Sequence, residues 1–180
     1  SINKIEDPLS IFERLFSSNP AQFASYLQFE NVGVISNSPE LFLKVESKKN
    51  TTIVRSIPIK GTANQTDYQS RLKLWHSQKE RAELSMIVDM VRNDLGRVAR
   101  CGSVKVHHRR IRRCGDLLHA EQMVTAELKP ECSIAELIAA TFPPASVTGA
   151  PKVSAIKRIH RLEKMSRGIY TGCIGYIGYG

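Results

Sequence analysis

Apolar residues recur at two different periods along the 180-residue chain, and the changes of period mark its elements. Pro8 to Phe16, PLSIFERLF, spaces its apolar side chains at helical intervals and predicts a short amphipathic helix. From Asn31 to Glu46 the pattern alternates, with VGVI and LFLKV flanking Asn37-Ser-Pro-Glu40, which predicts a hairpin turning at those four residues. A second hairpin turn is predicted at Lys48-Lys-Asn-Thr, leading into IPIKGT, where Ile57 and Ile59 share one face of a short strand and Pro58 and Lys60 the other. On this reading Glu40 and Lys60 fall on neighbouring strands.

Tyr68 to Leu95 contains neither Gly nor Pro and predicts one long helix with Gly96 as its C-cap. Leu84, Ile87, Val91 and Leu95, with Met86 and Met90 beside them, form its apolar face. Helical spacing sets Glu83 on or beside that face, where a carboxylate requires a metal, a proton, or a cation such as Arg81 or Arg92. Val104 and Val106 alternate as a strand ahead of HHRRIRR, residues 107 to 113. Ser133-Ile-Ala-Glu136 is a capping box opening a helix that runs to Thr141 and stops at Pro143-Pro144. In SVTGAPKVSAIKRIHRLE, Thr148 can cap, Gly149 bends the chain and Pro151 suits a first helical turn, with Val153, Ile156, Ile159 and Leu162 on one face. The amides at that helix start, with Lys152 beside them, form a candidate anion site. Ile169 to Tyr179 predicts a closing strand rich in Gly and Tyr.

Composition narrows the class. With 42% hydrophobic and 24% charged residues the chain reads as globular, no apolar run approaches membrane-spanning length, and SINKIEDPLS lacks the features of a signal peptide, so a cytoplasmic setting is expected. The four cysteines show no CxxC or Cys/His cluster and read as free thiols. A formal charge of +9 favours an anionic ligand. No aromatic residues interleave with the arginines of HHRRIRR, so a solvated strand end or hairpin is preferred there over a nucleic-acid surface. Lys60, between apolar residues and a glycine that permits close approach, has two open readings: an edge-strand lysine that blocks aggregation, or a partly desolvated amine available as nucleophile or base.

Taken in order, SNSPELFLKV (36 to 45), IPIKGT (57 to 62), RAELSMIVDMVRNDLGRVA (81 to 99), SVTGAPK (146 to 152) and RGIYTGCIGYIG (167 to 178) resemble the motifs of the chorismate-utilising enzymes. PIKGT resembles the aminodeoxychorismate synthase component I branch, since anthranilate synthase component I typically carries alanine where this chain has Lys60. The resemblance implies an α+β fold of layered antiparallel β-sheets flanked by helices, and amination of chorismate at C4 in the para-aminobenzoate branch of folate synthesis. It implies Lys60 as nucleophile at C2 of the ring, Glu40 as general acid and base, and Glu83 as a ligand of the Mg2+ ion that meets the ring carboxylate. Thr62 and Gly61 in the strand-turn, and Thr148 and Gly149 in the TGAPK loop, would face the substrate. His119 aligns with a histidine close to the substrate, although LLHAEQ departs from the usual valine-x-His-Leu-Val-Ser.

The resemblance further implies ammonia drawn from a glutamine amidotransferase subunit or domain. It implies that residues 1 to 180 form part of a chorismate-binding catalytic domain, without most of an N-terminal portion and without a C-terminal segment that carries further magnesium and carboxylate contacts, so that the isolated piece is expected to be inactive. Anthranilate synthase component I, which adds pyruvate elimination, is the nearest alternative. An inactive partner-binding remnant and a basic nucleic-acid-binding fragment are alternatives of another class.

Overall fold

The alternation along LLHAEQMVTAE builds the strand around which the molecule is organised. The computed structural model describes residues 7–64 and 67–178. In it β7, Leu117–Glu127, buries Leu118, Ala120, Val124 and Ala126 in the core, while His119 and Glu121 fall on the opposite face. β6, Lys105–Cys114, pairs antiparallel along one edge of β7 through a tight turn at Gly115 and Asp116. Along the other edge run β4, Thr51–Ile57, and then β5, Ile59–Ala63. β3, Leu41–Lys48, joins β4 through Lys49 and Asn50, whose φ values of 43° and 66° suit a two-residue hairpin turn.

A separate two-stranded sheet holds β1, Phe23–Gln28, and β2, Gly33–Ser38, beside α1, Pro8–Ser18. The hairpin expected over residues 31 to 46 is therefore not formed. β2 pairs with β1 and β3 with β4, so Pro39 and Glu40 cross between sheets. Alternation identifies a strand but not its partner.

The long helix expected from Tyr68 is two helices, α2, Tyr68–His76, and α3, Gln78–Gly96. Ser77 divides them: its N–H donates to Lys73 and closes α2, while its hydroxyl accepts from the Glu80 N–H and opens α3. Gly96 is the last helical residue rather than the cap, which falls on Arg97 in right-handed geometry. Leu84, Ile87, Val88, Val91 and Leu95 of α3 pack on Val54, Leu118, Ala120 and Val124, making the core between helix and sheet. α4, Ile134–Thr141, has both bonds of its capping box, at 3.2 and 2.8 Å.

α5, Lys152–Leu162, starts at Pro151 with no side-chain cap, and Thr148 instead donates to the carbonyls of Pro144 and Ala145 in the short 3-10 turn Ala145–Val147. No residue of α5 is buried, and Val153 is 65% exposed. The strand expected from Ile169 is a turn followed by chain without ladder partners as far as Gly178, with Tyr176 98% exposed, while Tyr179 lies outside the described residues. The arginine run lies in β6, the first arm of the β6–β7 hairpin, in keeping with the strand or hairpin expected there. Arg109 lies 5.3 Å over the Trp75 ring and donates to the Leu74 and Trp75 carbonyls, Arg110 and Arg112 pair with Glu121, and Arg113 pairs with Asp116. Arg109 and Arg112 are thus engaged within the protein, while the side chains of Arg110 and Arg113 remain 58% and 64% exposed. No helix among the described residues is long and apolar enough to cross a membrane.

Candidate active site

Pro58 cannot donate to a ladder, so the strand that begins as β4 breaks there and resumes as β5. One extra residue then enters β5 between the pairs Ile59 with Glu121 and Thr62 with His119, and Gly61 takes it up at φ +86°. A Cβ at Gly61 would lie 2.8 Å from Glu80 Oε2 and 2.9 Å from Leu74 Cδ1. The close approach that requires glycine is thus made by the protein's own α2 and α3. Lys60 sits half-buried in this bulge.

Glu40 reaches the same place from the crossing between sheets. Its N–H donates to Ser38 Oγ at 3.2 Å, and the pairing of Leu41 with Ile57 brings it beside the Pro58 break. Burial pushes its carboxyl above the ordinary carboxylate pKa, against the opposing effects of the Ser146 hydroxyl, the Lys60 charge and the Ile59 N–H. The structure therefore brings Glu40 and Lys60 together through the strand break rather than through adjacent strands. Glu40 also lines a small cavity with Phe42, Ser56, Asp94, Thr141 and Ser146.

His119 is buried, and its Nδ1 lies 3.0 Å from Thr62 Oγ1 across the β5–β7 ladder. Burial first, and then the Arg112 charge, hold its pKa below the usual histidine value, against the pull of Glu121. At neutral pH the imidazole is uncharged, which suits a hydrogen-bonding role.

Glu83 differs from expectation. It lies on the half-exposed side of α3, 3.9 Å from Lys79, and neither Arg81 nor Arg92 is its partner, since Arg92 pairs with Asp89 at 2.8 Å. The residue is one position off the buried stripe that starts at Leu84. Among the described residues no group of three or more metal-binding side chains is assembled. As a single accessible carboxylate Glu83 fits one ligand of an ion that takes its other oxygens from water and substrate, which is the usual habit of Mg2+.

Lys152, expected beside an anion site, turns inward. Its ammonium pairs with buried Asp94 and donates to the carbonyls of Thr141 and Pro143 at 2.9 and 2.8 Å. Arg97 completes the pair from the other side of Asp94 at 3.2 Å. This brace fixes the loop holding Ser146, Thr148 and Gly149, with the Thr148 hydroxyl spent on the 3-10 turn. Sequence reading missed Ser146, Asp94, Arg112 and Glu121. The first two stand inside quoted motifs, but a motif does not say which neighbour each side chain meets. The latter two become visible only once the β6–β7 register is known.

The family described as chorismate binding enzyme matches residues 1–180. Aminodeoxychorismate synthase component 1 of Bacillus subtilis is 38% identical over 178 residues, covering 96% of this chain and 37% of that protein. An anthranilate synthase component 1 of Haloarcula marismortui is 38% identical over 175 residues, covering 96% of this chain and 35% of that protein. The crystal structure of anthranilate synthase component I from Streptococcus pneumoniae superposes with a TM-score of 0.80 at 33% identity, over 94% of this chain and 38% of that one. The menaquinone-specific isochorismate synthase of Escherichia coli, 21% identical, shares the fold with a TM-score of 0.69 over 80% of this chain and 33% of that one. This chain spans a little more than a third of the length of the curated relatives it matches. With a family match along its whole length, and an α+β fold shared with solved members, the chain belongs to the chorismate-binding enzymes.

Proposed function

We propose that this chain is part of the catalytic domain of an aminodeoxychorismate synthase component I, which aminates chorismate at C4. The observation that carries the reading is half-buried Lys60 acting electrostatically on Glu40, whose carboxyl pKa is raised above the ordinary value by burial. An amine and a carboxyl whose protonated form is favoured by burial are the two groups that substitution of a ring hydroxyl needs.

In this reading the Lys60 amine adds at C2, both ring double bonds shift (C1=C2 to C1=C6 and C5=C6 to C4=C5), and the C4–O bond breaks as Glu40 passes its proton to the departing hydroxyl, releasing water. Ammonia then adds at C4, both double bonds shift back, the C2–N bond breaks, and the Glu40 carboxylate accepts a proton from the new amine. Neutral His119, hydrogen-bonded to Thr62, offers a donor at the ring without adding charge. Gly61, Thr148 and Gly149 shape the backbone on either side of the substrate. Mg2+, with Glu83 as one ligand, would neutralise the ring carboxylate. A glutamine amidotransferase subunit or domain is the proposed source of ammonia.

Anthranilate synthase component I is the second reading, since relatives of both kinds are equally similar to the chain. Product analysis of a complete protein containing this chain, with chorismate, ammonium and Mg2+, separates them. The expected product is 4-amino-4-deoxychorismate, lost in Lys60→Ala. Anthranilate as product, or formation undiminished by that substitution, would overturn the assignment of Lys60.

A further inference from the structure

Arg112 stands opposite His119 in the β6–β7 ladder, and its guanidinium joins three parts of the molecule. Its Nε donates to Glu121 Oε2 at 2.6 Å, Nη1 to Gln22 Oε1 at 2.7 Å, and Nη2 to the Pro39 carbonyl at 2.8 Å. Glu121 is 1% exposed and is also held by Arg110 at 3.0 Å. A charged group so deeply buried is retained only where it is fully paired, and here its pairing orients Arg112. Glu121 also stands where the family resemblance calls for valine.

The third bond is the informative one. Pro39 immediately precedes Glu40, in a crossing that belongs to neither sheet. An open cavity lined by Phe23, Leu41 and Ile57 together with Gln22, Arg112 and Glu121 reaches the chain at Leu41, directly after the crossing. Where packing is loose, polar ties set position. We infer that Arg112, oriented by Glu121, is a positioning residue that holds Glu40 against Lys60 through the Pro39 carbonyl. The inference rests on the proposed role of Glu40 as proton donor only for its effect on rate, and not for its effect on where the carboxyl sits.

The charged groups facing Glu40 are Lys60 from β5 and, across the cavity, Asp94 of α3, which Lys152 and Arg97 already pair. Ser146 and the Ile59 N–H supply its hydrogen bonds. Removing Arg112 and Glu121 together leaves the net charge near Glu40 unchanged, so a change in its titration reports a change in position.

The test uses Arg112→Leu/Glu121→Val and the conservative Arg112→Lys in a complete protein containing this chain. Glu40 is titrated by NMR of the carboxyl-labelled protein, and kcat and KM are measured with chorismate and ammonium. A positioning role predicts that the folded double variant, with its carboxyl released toward solvent, titrates Glu40 nearer the ordinary carboxylate range. It also predicts a kcat about ten- to a hundredfold lower with KM changed less than about twofold, the loss typical of a displaced catalytic group. Arg112→Lys falls between parent and double variant. A folded double variant with the parental Glu40 titration and kcat overturns the inference, because a merely structural ion pair can be exchanged for apolar residues without loss. If the double variant does not fold, Arg112→Lys decides by the same two readouts. A parent that makes no aminated product refutes the proposed function, while the titration still judges the positioning role.

Discussion

Glu40 is a residue in conflict with its surroundings. Burial favours the neutral carboxyl, Ser146, Lys60 and the Ile59 N–H favour the charged one, and burial wins. With the folded pKa raised, the stability that Glu40 contributes is complete below the ordinary carboxylate pKa and is lost as pH rises through the folded value. Glu40→Gln is therefore expected to melt at a higher temperature than the parent at neutral pH, and the gain should close on acidification to about pH 4. Thermal melts at the two pH values check this, and no gain at neutral pH would refute it. His119 carries the opposite sign: its lowered pKa gives stability that is present above the ordinary histidine value and is lost as pH falls through the folded one. Gly61 is the other residue under constraint. Gly61→Ala would combine a positive φ with contacts under 3.0 Å to Glu80 and Leu74 and should destabilise by about 1–3 kcal/mol, read from a denaturant midpoint. Lys60 and Glu40 were legible in the sequence because their motifs are short and local. The reason for Gly61 was not, since the atoms it avoids lie on helices that follow it by more than ten residues.

At the scale of elements, sequence signals served best where they were chemically specific. Ser133 and Glu136 make the reciprocal bonds their spacing foretold, and Ser133→Ala should cost about 1 kcal/mol, measured by chemical denaturation. Periodicity alone was weaker. It ran α2 and α3 together because Ser77 is an ordinary helix residue until its hydroxyl is seen to cap, and it joined β2 to β3 because alternation carries no information about partners. It did set Glu83 beside the buried stripe, one position before Leu84, but the cation near it is Lys79 rather than Arg81 or Arg92. The anion site expected beside Lys152 failed for another reason. A lysine at a helix start attracts anions only if no buried carboxylate claims it first, and Asp94, more than fifty residues earlier, does so.

At the scale of the molecule, the Asp94–Lys152 brace links α3, the end of α4 and the start of α5, so its loss should be felt globally. Lys152→Met leaves a buried carboxylate with Arg97 alone and is expected to lower stability by about 3 kcal/mol at neutral pH, read from a urea midpoint. The exposed faces are equally telling. Ile169, Tyr170, Tyr176 and Ile177 are each at least 70% exposed, and α5 buries nothing, so residues 1–180 expressed alone should associate with increasing concentration, as light scattering or sedimentation would show. β7 stands apart from this open periphery, paired along both edges and covered by α3. Its amides should be the slowest in the chain to exchange with deuterated water, whereas the Pro39–Glu40 crossing, outside both ladders, should exchange through small local openings. The two halves of the candidate site thus belong to units of different stability. A fluctuation costing only part of the global unfolding free energy would withdraw Glu40 while the platform bearing His119 stays folded, so the proposed chemistry would be silenced long before the fold is lost.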